Sequence, residues 1–131
     1  MSPVRSGFWF HVAPALAYVV AVFVGGSLKL GPLPEGEAIG LDKLLHLVAF
    51  AGMQLVMLRA LRFEKPELGT AFQAAIAAVL AIVAGGLLEL WQAALPYRSA
   101  ELLDWVADAI GATLAAVISV LVLRGTKPGA A

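Results

Sequence analysis

Four long apolar runs separated by three short polar breaks account for nearly the whole chain. The runs cover about 8–28, 42–60, 70–95 and 101–123. A bilayer core about 30 Å thick takes roughly 20 apolar residues per helix, and each run has close to that length. The breaks carry the residues that stop helices: two prolines and three glycines in the segment 29–43, Pro66 and Gly69 after the second run, and Pro96 opening the short link to Ser99. The pattern predicts an all-α polytopic bundle of four transmembrane helices forming a single domain over 1–131.

Within the runs, small residues recur every fourth position. Ala17, Ala21 and Gly25 do so in the first, and Ala107, Gly111, Ala115 and Ser119 in the fourth. Such faces let helix backbones approach closely, within one chain or between copies in a homo-oligomer. Pro14 is placed in the first turns of the first helix, where proline costs least. Phe8, Trp9 and Phe10 suit an interfacial anchor, and a cleaved leader is the competing account of this run. Asp42 is expected at the start of the second helix as a cap or first-turn acid. Asp42, His46, Ala49 and Met53 then share one face.

Composition turns this pattern into a class. The 131 residues are 61% hydrophobic and only 14% charged, with a mean hydropathy of +0.90. That is an integral membrane protein. Zero formal net charge offers no basic surface for nucleic acid, and the lack of cysteine removes disulfides, thiolate metal sites and Cys nucleophiles. With four spans, Arg5, Arg59, Arg62, Lys65, Arg124 and Lys127 fall on one side and Lys29, Lys43 and Arg98 on the other. The positive-inside rule places both termini in the cytoplasm. Seven of the nine acids, all but Glu64 and Glu67, then belong to the extracytoplasmic half.

The stretch Glu89–Gly111 is where polar groups interrupt the apolar pattern. Glu89, Gln92, Arg98, Glu101, Asp104 and Asp108 lie there, and Asp42, Lys43 and His46 supply a second polar group at the start of the second helix. At 1.5 Å per residue, Glu89 and Asp108 each lie about 10 Å along their helices from the third link, and His46 about 6 Å beyond Asp42. Three helices therefore offer polar side chains at one level. Gly85 and Gly86, one turn before Glu89, leave room for a neighbouring backbone.

Asp42-Lys43-x-x-His46 opening a helix, Glu89-x-x-Gln92, Pro96-x-Arg98, and Leu103-Asp104-x-x-Ala107-Asp108-x-x-Gly111 together resemble the VanZ-like family of small bacterial membrane proteins. The motifs cover about 41–111, and the first helix contributes none of them. Asp108 is the departure, since asparagine is the more usual residue expected there. The family's name-giving member is associated with reduced susceptibility to the glycopeptide teicoplanin. The resemblance implies a cell-envelope role and carries no mechanism.

Three functions fit the polar residues. As a ligand site, Asp42, Lys43, His46, Glu89, Gln92, Arg98, Asp104 and Asp108 would bind a membrane lipid or lipid-linked envelope precursor, with Arg98 as anion clamp and the acids as its buried counter-charges. As a structural knot, Glu89, Arg98, Asp104 and Asp108 would pair to fix the hairpin of the third and fourth helices. As an enzyme, the least supported reading, His46, Glu89 and Asp104 would serve as acid, base or metal ligands. No cofactor motif is present and none is expected. Outside the cluster, Gln54 is expected to make an interhelical hydrogen bond, His11 and Gln73 to lie at the opposite face, and Trp91 and Trp105 to form part of an aromatic belt.

Overall fold

The computed structural model describes residues 3–29 and 38–125, with side chains for 7–29 and 40–124. Four helices make up the described chain: α1 (Pro3–Ser27), α2 (Ala38–Glu64), α3 (Thr70–Ala93) and α4 (Leu102–Gly125). No strand occurs among the described residues, and all four helices are long and apolar enough to cross a membrane. The all-α, four-span architecture thus follows from the apolar runs. Most of the proline- and glycine-rich first break, including Glu35 and Glu37, lies outside the described residues, as does the tail beyond Gly125.

The ends of the helices differ from the pattern in instructive ways. Because α1 begins at Pro3, Pro14 sits in its interior rather than in its first turns, at an exposed position. Because α2 begins at Ala38, Asp42 falls in the second turn and is not the cap; apolar Ala38 and Ile39 extend the helix backwards past Gly40. At its other end α2 continues to Glu64, just short of the Lys65-Pro66 step that disfavours helix, and Arg62 in the last turn faces the negative end of the helix dipole. α3 stops at Ala93, before the same kind of step at Leu95-Pro96, and the Ala94 N–H caps it on Trp91 O at 3.1 Å.

α2 packs against both members of the α3–α4 hairpin, most extensively on α4, whereas α1 lies against α2 and the edge of α3 and, among the described residues, does not pack on α4. Small residues explain the close α2–α4 fit. A Cβ on Gly111 would strike the backbone carbonyl of Leu47. Ala107, Ala115 and Ser119 on the same face are buried, so the small-residue face of α4 is consumed within the protomer. The α1 face of Ala17, Ala21 and Gly25 is exposed.

The apolar core has two parts. Phe50, Met53, Ala81, Ala84, Leu88 and Ala112 pack at the level below the polar cluster, and Leu58, Ala74, Ala77, Ala78 and Ala116 pack toward the other end. The buried face of α3 therefore reads as a row of alanines closed by Gln73 at one end and by Glu89 and Gln92 at the other. Large apolar side chains such as Leu90 and Leu102 point outward, as a lipid-facing surface requires.

Candidate functional site

The site forms where the C-terminal end of α1, the N-terminal half of α2, the last turns of α3, the Pro96–Ser99 link and the first turns of α4 meet. Asp42, Lys43 and His46 come from α2, with His46 stacked parallel to Phe50 one turn on, ring centroids 6.5 Å apart. Glu89 and Gln92 come from one face of α3, and Asp104 and Asp108 from one face of α4. All eight predicted residues thus lie at one end of the bundle, in two connected layers.

The deeper layer is carboxylate and imidazole. His46 Nδ1 lies 2.8 Å from Asp108 Oδ1, and its Nε2 lies 3.7 Å from Asp104 Oδ2. Glu89 Oε2 accepts the Glu101 backbone N–H at 2.8 Å. Asp108 is fully buried and Glu89 is 7% exposed, yet among the described residues the second oxygen of each, Asp108 Oδ2 and Glu89 Oε1, has no hydrogen-bond partner. Gly85 provides the space beside Asp108: a Cβ there would come within 2.6 Å of Oδ2. Gly85 therefore accommodates a carboxylate rather than a neighbouring backbone, and a Cβ on Gly86 would meet the Trp105 indole at 3.5 Å.

The upper layer is cationic, and here the expected pairing is overturned. Lys43, not Arg98, neutralises the acids: its Nζ bonds Asp104 Oδ1 and, at 2.7 Å, Glu101 Oε2, with Asp42 Oδ2 at 3.7 Å. Among the described residues no carboxylate pairs with Arg98. Its Nε instead donates to the Gly26 carbonyl at 3.0 Å, an oxygen that also accepts from Gln92 Nε2 at 3.0 Å. The reason is positional. Arg98 lies in the link beside the end of α1, whose last carbonyls have no partner within the helix and draw donors.

Donors accordingly gather at the end of α1. Tyr97 donates its hydroxyl to Ser27 O at 2.9 Å and Trp91 its indole N–H to Ser27 Oγ at 2.8 Å. Backbone carbonyls carry no side-chain signature, so the part α1 plays was not readable from composition or spacing. Glu101 is the other residue left out of the predicted set. Its position three residues before Asp104, at the entrance to α4, was a usable signal.

Two trios of side chains here bring one candidate ligand atom each within 4.8 Å of the others: Asp42, His46 and Asp104, and His46, Glu89 and Asp108. Comparison with known proteins finds no matching family model, no matching curated protein and no matching solved structure.

Two cavities open beside the cluster. One, of about 240 Å³, is walled mainly by apolar residues of α1, α2 and α3, among them Val22, Leu45, Phe50 and Leu88, and reaches Asp42, His46 and Arg98. The other, of about 120 Å³, is polar and is lined by Gln92, Tyr97, Ser99, Glu101 and Asp104, again with Asp42 and Arg98. A larger apolar cavity, about 600 Å³, lies at the opposite end of the bundle near His11, Arg59 and Phe63 and includes none of the cluster carboxylates. There His11 stacks on Phe63 and accepts a hydrogen bond from Arg59 Nε at 3.3 Å, while Gln73 donates to Lys65 O at 2.7 Å. Gln54 departs from expectation: fully buried in α2, it finds no hydrogen-bond partner for Oε1 or Nε2 among the described residues.

Proposed function

We propose that this chain is a bacterial inner-membrane protein that binds a phosphate-bearing amphiphile, a membrane lipid or a lipid-linked envelope precursor, at the polar end of its bundle, with that end facing away from the cytoplasm. The observation that carries the reading is the pair of cavities that share Asp42 and Arg98: one apolar and suited to a hydrocarbon segment, the other polar and suited to a headgroup. Arg98 spends only its Nε on Gly26 among the contacts seen, which leaves the rest of the guanidinium for a phosphate. Asp42, held only at 3.7 Å by Lys43, suits a cationic portion of the same headgroup. The uneven distribution of Lys and Arg supports the orientation, and the resemblance to VanZ-like proteins supports an envelope role.

The test is mass analysis of lipid retained after purification in mild detergent. Wild-type protein is expected to keep about one phosphate-bearing amphiphile per chain, and its mass separates a bulk phospholipid from an envelope precursor. Loss of a charge-assisted hydrogen bond, about 1.5–3 kcal/mol, predicts at least a roughly tenfold fall in retention for Arg98→Gln, with partial recovery in Arg98→Lys. Equal retention in wild type and Arg98→Gln would sink the proposal.

A structural knot is the second reading, favoured by the Lys43, Asp104 and Glu101 network. It predicts that Arg98→Gln lowers the yield of folded protein and leaves no separate binding defect.

A further inference from the structure

We propose that His46, Glu89 and Asp108 form a binding site for a single divalent first-row transition cation beneath the amphiphile cavity, whose wall it meets at His46. The argument begins with how the two acids use their oxygens. Each engages one in a hydrogen bond, Glu89 Oε2 with the Glu101 N–H and Asp108 Oδ1 with His46 Nδ1, and each leaves the other without a partner among the described residues. A buried carboxylate oxygen without a donor is costly in an apolar surround, and more so in a membrane-spanning helix. Two such buried acids on facing helices, grouped with an imidazole so that one candidate ligand atom of each lies within 4.8 Å of the others, call for a cation.

The charge balance identifies which trio holds it. Around Asp42, His46 and Asp104 the positive charge is already present, because Lys43 bonds Asp104 and stands 3.7 Å from Asp42. Among the described residues neither Glu89 nor Asp108 has a Lys or Arg partner within 4.0 Å. Two carboxylates and a neutral imidazole are neutralised by one divalent ion. Nitrogen and carboxylate donors suit the manganese-to-zinc part of the series.

The geometry accommodates it. With one ligand atom from each residue within 4.8 Å of the others, small side-chain rotations bring all three to an ion about 2.1 Å from each donor. His46 then turns Nδ1 to the ion it shares with Asp108, while Nε2 faces Asp104, which Lys43 holds in place. A carboxylate behind a ligating histidine is the usual way its ring is oriented. Gly85 leaves the space that Asp108 Oδ2 occupies, and a side chain there would invade it.

The test uses full-length protein with a tag lacking histidine, purified in detergent and stripped of metal. Titration with Co²⁺ is expected to give visible absorption bands that saturate at about one ion per chain and vanish when Zn²⁺ is added. Asp108→Asn and Glu89→Gln, which keep side-chain size, should each weaken Co²⁺ binding by about 100-fold or more, since even outer-shell partners of a metal site are worth 10–100-fold. Asp42→Asn should leave the bands and the affinity unchanged. Failure of the wild-type protein to bind Co²⁺ or Zn²⁺ overturns the proposal whatever the variants do. Loss of binding in Asp42→Asn with retention in Glu89→Gln overturns it in favour of the other trio. Size-exclusion profiles of each variant separate loss of the ion from loss of the fold.

Discussion

Lys43 on α2 bonds Asp104 on α4, 61 residues further along the chain, and ties the start of one helix to the start of the other. Glu101 joins the same ammonium at 2.7 Å, so a single cation secures the entrance to α4. Asp104 is only 5% exposed, which makes this ammonium its main compensation.

Removing that ammonium should be felt as lost stability. Breaking a buried pair from one side costs about 3–5 kcal/mol; Lys43 keeps a fifth of its side chain exposed, so about 2–3 kcal/mol is expected for Lys43→Met. Asp104→Asn added to Lys43→Met should recover part of the loss, because the stranded charge is then gone. Unfolding of both variants in detergent micelles measures this, and identical stability for Lys43→Met and wild type would show that the bridge contributes nothing.

A different contact sets the α2–α4 spacing. A methyl group on Gly111 meets the Leu47 carbonyl, which is backbone and cannot rotate away. Gly111→Ala should therefore push the helices apart and destabilise the fold by about 1–3 kcal/mol, the usual cost of overpacking. It should also pull His46 away from Asp108, so that Co²⁺ affinity falls together with the melting temperature. Gly25→Ala, which meets nothing within 4 Å, is the matched control and should change neither.

Gln54 makes the opposite prediction. With neither polar atom of its amide partnered and the side chain fully buried, replacement by leucine removes a desolvated group without breaking a bond. Gln54→Leu should be neutral or raise stability by about 1 kcal/mol. A large loss of stability on thermal unfolding would mean that the amide has a partner, such as a buried water.

Much of this architecture was legible in the residues themselves. Apolar runs of membrane length bounded by prolines and glycines are enough to specify four helices, because a lipid surround leaves the backbone few alternatives to satisfying its own hydrogen bonds. The spacing of Asp42 with His46, Glu89 with Gln92 and Asp104 with Asp108 put each pair on one face, and equal depths along three helices predicted their convergence. The 2.8 Å approach of His46 to Asp108 realises it.

What the tertiary structure alone decided is who pairs with whom. Arg98 looked like the partner of the acids because it is the nearest cation to them in sequence, yet it caps the end of α1 while Lys43 crosses from α2 to serve Asp104. Local spacing determines a helix face, but charge pairing depends on how far apart helices lie and which backbone carbonyls are left open at their ends. Those carbonyls at Gly26 and Ser27, and the two carboxylate oxygens left bare on Glu89 and Asp108, exist only once the four helices are packed.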